Sequence, residues 1–132
     1  MSRKSPISFK FHLPPNRANA REHWRATDRK KKQFMHDFLY MNHDIIKKYE
    51  KKKPVEYFTW YAEYEVSKYY DSDNIINLSK WPLDALKNYG IIVDDSWDRC
   101  RGEKWSDQRK KRGKEKFGYL TIYPCDEPFA CN

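Results

Sequence analysis

The run Val55–Val66 constrains this chain more than any other. Phe58, Trp60, Ala62, Tyr64 and Val66 share one side of it, while Tyr57, Thr59, Tyr61, Glu63 and Glu65 share the other. A period of two predicts a β-strand with one face against a core. Such a strand needs neighbours for its backbone and a second layer for its apolar face. Ile7–Leu13 alternates in the same way until Pro14-Pro15 stops it, since proline cannot donate to a ladder. Phe117–Tyr123 reads as a closing strand ended by Pro124. Ile91-Ile92-Val93 is short, apolar and β-branched, which suits a buried strand. Trp97–Trp105 reads as a weaker strand, interrupted by Gly102.

Two helical patterns fall between these runs. Phe34, Phe38, Met41, Ile45 and Tyr49 form one apolar stripe over four turns. Thr27 or Asp28 is placed to cap that helix, with Lys30-Lys31-Lys32 in its first turn and Lys51-Lys52-Lys53-Pro54 at its end. The second pattern covers Asn74–Tyr89, either as one continuous helix with Asp73, Asn77, Lys80, Asp84 and Lys87 on one polar stripe or in two pieces, because Pro82 breaks a helix interior. With Ser79 as N-cap, Pro82 sits in a first turn, where it is tolerated. Gly90 is a natural C-terminal cap. The expected architecture is α/β (α+β-like): a small mixed β-sheet with two main helices packed on it. It forms a single domain over 1–132, with 1–6 and 124–132 as loose termini.

The 27 Lys+Arg exceed the 19 Asp+Glu, giving a net charge of +8. That balance favours an anionic partner, and nucleic acid is the usual one. Cys100, Cys125 and Cys131 show no C-x-x-C spacing, and the four histidines show no ligand spacing with them. No secretory segment follows Met1, and no apolar run approaches membrane length. The expectation is a cytoplasmic protein with free thiols, no membrane contact and no small-molecule cofactor.

Against this basic background the stretch Tyr69–Asp95 is acidic. Asp71 and Asp73 follow the long strand; Asp94 and Asp95 close the Ile91–Val93 run. If the extended backbone continues to Asp73, the first two carboxylates point the same way. Gathered carboxylates repel and raise each other's pKa, and a divalent cation removes that conflict. All-oxygen ligation favours Mg²⁺, with Mn²⁺ able to substitute. Such an ion activates water and neutralises charge growing on a phosphate. Lys80 is placed to stabilise that charge, and it lies one helical turn from Asp84. Asn16, Arg17, Asn19, Arg21, His23 and Arg25 form a polar, basic loop beside Trp24. Together with Lys30, Lys31, Lys110, Lys111 and Arg112 they are candidate DNA contacts; their bland alternative is a solvated basic surface.

The combination Asp71-Ser72-Asp73-Asn74, Lys80, Pro82-Leu83-Asp84-Ala85-Leu86, Gly90 and Asp94-Asp95 resembles the RusA family of Holliday-junction resolvases. Leu13-Pro14-Pro15 with Asn16, Asn19 and His23-Trp24 is similar to that family's N-terminal pattern. The resemblance implies a small α/β homodimer that cuts four-way DNA junctions with Mg²⁺ during recombination and repair. It implies Asp71, Asp73 and Asp95 as essential carboxylates, Asp94 as a lesser acidic position and Lys80 as the catalytic lysine. One departure stands out: five residues, Ile75 to Ser79, separate Asn74 from the lysine where the family pattern has two. That spacing leaves open a non-catalytic branched-DNA-binding protein of the same fold. A small-molecule phosphohydrolase would have little use for the positive charge.

Overall fold

The computed structural model describes residues 5–15, 24–94 and 104–126. Four strands lie among them: β1 (Ile7–His12), β2 (Tyr57–Val66), β3 (Lys104–Lys110) and β4 (Phe117–Cys125). They form one sheet in the order β1-β4-β2-β3. β4 runs antiparallel to β1 and β2, and β2 runs parallel to β3. A parallel neighbour needs a crossover; here the connection carries helices α3 (Ser72–Asn77) and α4 (Lys80–Asn88). Helices α1 (Trp24–Met41) and α2 (His43–Tyr49) precede β2. The mixed sheet with helices packed on it is the architecture that the sequence pattern predicts.

The inward side of the alternation in β2 goes where expected. Phe58, Trp60, Ala62, Tyr64 and Val66 are all buried. They meet Phe9 and Phe11 of β1, Leu120 and Ile122 of β4, Phe34 and Phe38 of α1, and Trp81, Leu83 and Leu86 of α4. The aromatic contacts are close: Phe11 lies 5.8 Å from Phe38 and 6.1 Å from Tyr64, ring centre to ring centre. Gly118 of β4 passes under those rings, and a Cβ there would come within 2.8 Å of Tyr64. Only glycine lets the two aromatic rings approach this strand.

Several boundaries differ from the sequence reading. The first helix begins at Trp24, before Thr27 and Asp28, so Lys30–Lys32 lie past its first turn. The apolar stripe from Phe34 to Tyr49 is split between two helices at Asn42. Asn42 is buried, and its amide brackets the main chain of Lys10. The Lys10 N–H donates to Oδ1 at 3.0 Å, and Nδ2 donates to the Lys10 carbonyl at 2.8 Å. The side chain thus supplies edge strand β1 with the partners that a further strand would provide.

The run Ile91–Val93 forms only a single parallel bridge, Val55↔Ile92, because its backbone is used to close α4. Gly90 has φ of 76°. The Gly90 N–H reaches the Lys87 carbonyl at 3.2 Å, and the Ile91 N–H reaches that of Leu86 at 2.9 Å. These are the two bonds of a Schellman cap, so Gly90 closes the helix as predicted. The third strand is described over Lys104–Lys110; of the expected Trp97–Trp105 strand, residues 97–103 lie outside the described ones. β4 continues through Pro124 to Cys125 rather than ending there. Pro124 lies beyond Ile122, the last β4 residue with a β1 partner, so a missing N–H is tolerated. Cys125, expected as a free thiol, is disulfide-bonded; an odd cysteine count still allows one bridge, and Cys100 and Cys131 lie outside the described residues.

Candidate metal and nucleic-acid site

The acidic stretch begins where β2 ends. The chain bends at Ser67-Lys68 and then comes alongside β3. Lys110 Nζ sits 4.7 Å from the centre of the exposed Tyr69 ring. Tyr70 is bracketed by a side chain from 38 residues away. The Tyr70 N–H donates to Gln108 Oε1 at 2.8 Å, and Gln108 Nε2 donates to the Tyr70 carbonyl at 2.9 Å. This fixes the residue before Asp71 against β3. Asp71 is exposed and takes the N-cap position of α3, although its carboxylate makes no capping bond; its carbonyl accepts from Ile75 N–H at 3.0 Å.

Asp73 is the second residue of α3, so the extended-strand geometry proposed for Asp71 and Asp73 is not formed. The strand stops at Val66 because the chain turns there, and the helix has already started at Ser72. The Asp73 side chain and the whole of Asp95 lie outside the described residues. Asp94 pairs with Lys87 at 3.2 Å. Among the described residues no group of three or more His, Cys, Asp or Glu could hold a metal ion. Two members of the predicted metal set, Asp71 and Asp94, have described side chains: Asp94 is paired with Lys87, and Asp71 is exposed.

The lysine end of the motif is well defined. α3 and α4 are separate helices meeting at Leu78-Ser79, the two-piece arrangement. Ser79 takes the N-cap position of α4 and Pro82 falls in its first turn. The Ser79 hydroxyl does not cap; it bonds the buried Tyr64 phenol at 2.7 Å. Burial pushes the Tyr64 phenol well up, while the Ser79 bond pulls the other way. Lys80 is the first residue of α4, and its Nζ lies 3.2 Å from Asp84 Oδ1. Lys31 of α1 meets the other oxygen of the same carboxylate at 2.9 Å. Asp84 thus draws two ammonium groups together and ties α4 to α1.

Several of the candidate basic residues are held by carboxylates. Lys31 is committed to Asp84. Lys111 is committed to Glu65, at 3.3 Å, as is Arg109 at 3.1 Å. Lys110 and Arg112 are exposed beside them, and Lys30 is exposed on α1. Asn16, Arg17, Asn19, Arg21 and His23 lie outside the described residues, as does the side chain of Arg25.

Glu65 was not legible as a special position. It takes the outward side of β2, yet its side chain is only 4% exposed. Besides the two cations it accepts the Phe117 N–H at 3.0 Å. Burial alone would raise its pKa; the Phe117 N–H, Lys111 and Arg109 outweigh that and hold it below the ordinary carboxylate value. The carboxylate anchors both ends of the basic segment 109–117. Its partners lie 44 to 52 residues away in sequence, so no local pattern announces them.

No family model matches the chain, and no curated protein is found to be similar to it. Among the described residues no helix is long and apolar enough to cross a membrane.

Proposed function

We propose that this protein is a Mg²⁺-dependent endodeoxyribonuclease that cuts branched DNA, a four-way junction above all, as a homodimer. The carrying observation is the ordered set Asp71, Asp73, Lys80, Asp84, Asp94 and Asp95 in a chain of net charge +8. The structure supports the reading in two ways. Gln108 pins the main chain just before Asp71, and a metal ligand benefits from such preorganisation. Lys80 opens α4 with its ammonium steered by Asp84.

In this reading Asp71, Asp73 and Asp95 hold the ion, with Asp94 assisting. The ion would supply an activated water and neutralise charge on the scissile phosphate. Lys80 would offset charge at the reacting phosphate, and the basic surface would draw in the polyanion that the carboxylates alone would repel. The second reading, branched-DNA binding without turnover, is favoured by the five-residue interval between Asn74 and Lys80.

A synthetic four-way junction incubated with Mg²⁺ separates the two. Cleavage is expected for the natural chain and is expected to vanish in Asp73→Asn, with junction binding retained. Binding without cleavage by the natural chain would select the second reading. Full cleavage by Asp73→Asn would remove Asp73 from the mechanism.

A further inference from the structure

We propose that the outward face of the sheet is where two copies of this chain meet. The proposal gives a surface to the dimer proposed above, but it stands or falls without any DNA.

The inward face of the sheet carries the core contacts of α1 and α4. Phe9 and Phe11 meet Phe38, and Tyr64 meets Ser79. The outward face carries Tyr57 and Tyr61 from β2 and Tyr119 and Tyr123 from β4, by the alternation of each strand. Tyr123 is 43% exposed and the other three are half-buried. An outward sheet face in water is ordinarily polar, and a cluster of aromatic rings on one marks an interaction surface.

Charge then selects the occupant. The described outward residues of the four strands include two cations, Lys10 and Arg109, against three carboxylates, Glu63, Glu65 and Asp107. Two molecules of charge +8 repel. They can approach at a face that does not share the excess, whereas a polyanion gains nothing there. Tyrosine-rich, nearly neutral patches are also what protein interfaces favour.

One row of the face is self-complementary. Lys10, Tyr119, Glu63 and Asp107 lie in one row across the four strands. A two-fold axis parallel to the strands reverses their left-to-right order. Lys10 of one copy then faces the partner's Asp107, and Tyr119 faces the partner's Glu63. An isologous contact makes each pair twice, and face-to-face sheets pack in this aligned way. Four strands spaced at about 4.8 Å and about seven residues long offer a face of roughly 19 by 23 Å. At roughly 440 Å² on each copy that is a small interface, so a weak, concentration-dependent dimer is expected.

The test is sedimentation equilibrium of the full chain without DNA, from about 1 to 100 µM, where a concentration-dependent dimer would appear. Lys10→Asp and Asp107→Lys should each weaken dimerisation at least about tenfold by placing like charges opposite each other. The combined variant should recover most of the loss. Tyr61→Glu, with thermal melting to confirm that it folds, should give monomer. A natural chain that is monomeric throughout, or a dimer indifferent to all four variants, would overturn the proposal. So would single-strand oligonucleotide binding that Tyr61→Glu abolishes in a monomeric chain. Junction cleavage by a dimer whose charge variants behave as expected leaves both readings standing. A dimer without cleavage removes only the nuclease.

Discussion

Glu65 shows how much one side chain can organise. Its carboxylate collects Arg109, Lys111 and the Phe117 N–H in one nearly buried place. Replacing it with Gln keeps the shape and removes the charge, so two cations lose their counterion. A destabilisation of about 2 to 4 kcal/mol is expected, read as a fall in the urea midpoint at neutral pH. The pH dependence has a definite sign. The folded-state pKa of Glu65 lies below the ordinary 4.5. Its contribution is therefore present above 4.5 and fades as pH falls through the lower folded value. Urea midpoints followed downward from pH 5 should drop less steeply in Glu65→Gln than in the natural chain.

Among the elements, β2 was legible because its signal is local: ten observed strand residues alternate without a break in the inward set. The pair α3 and α4 was legible for the same reason, since Ser79, Pro82 and Gly90 are start and stop signals read within one turn. The division of α1 from α2 was not, because Asn42 answers to Lys10, 32 positions away. Loss of its amide leaves the part-buried N–H and carbonyl of Lys10 without this partner. Asn42→Ala should cost about 1 to 3 kcal/mol. Hydrogen exchange should quicken at the Lys10 amide while Leu120 in the sheet centre stays protected until global unfolding. Uniform quickening would mean that Asn42 acts on the whole fold rather than on this edge. At the candidate site, the acidic and lysine positions could be named from the sequence alone. The clamp by Gln108 and the sharing of Asp84 by two lysines could not, since each joins segments far apart in the chain.

At the scale of the molecule, the positive excess is less available than its sum suggests. Among the described residues Lys31, Lys32, Lys80, Lys87, Arg109 and Lys111 each lie within ion-pair distance of a carboxylate. DNA binding should call on only part of the total. Each phosphate neutralised contributes about −0.9 to the slope of log K against log salt. Four to six contacts would give a slope of about −4 to −5, well short of what 27 basic side chains might imply. Fluorescence anisotropy with a labelled junction over a salt series measures it directly. A slope near zero would mean that phosphate contacts do not hold the DNA.

The two side-chain amides have one more consequence, which concerns growth rather than function. Asn42 occupies the main-chain hydrogen-bonding groups of Lys10 on one outermost strand. Gln108, from the opposite outermost strand, holds Tyr70 beside it. Unsatisfied rims of this kind are where identical chains add strand upon strand into fibrils. With the Lys10 groups occupied in this way, the β1 rim offers less free main chain for a second copy of the sheet to zip onto.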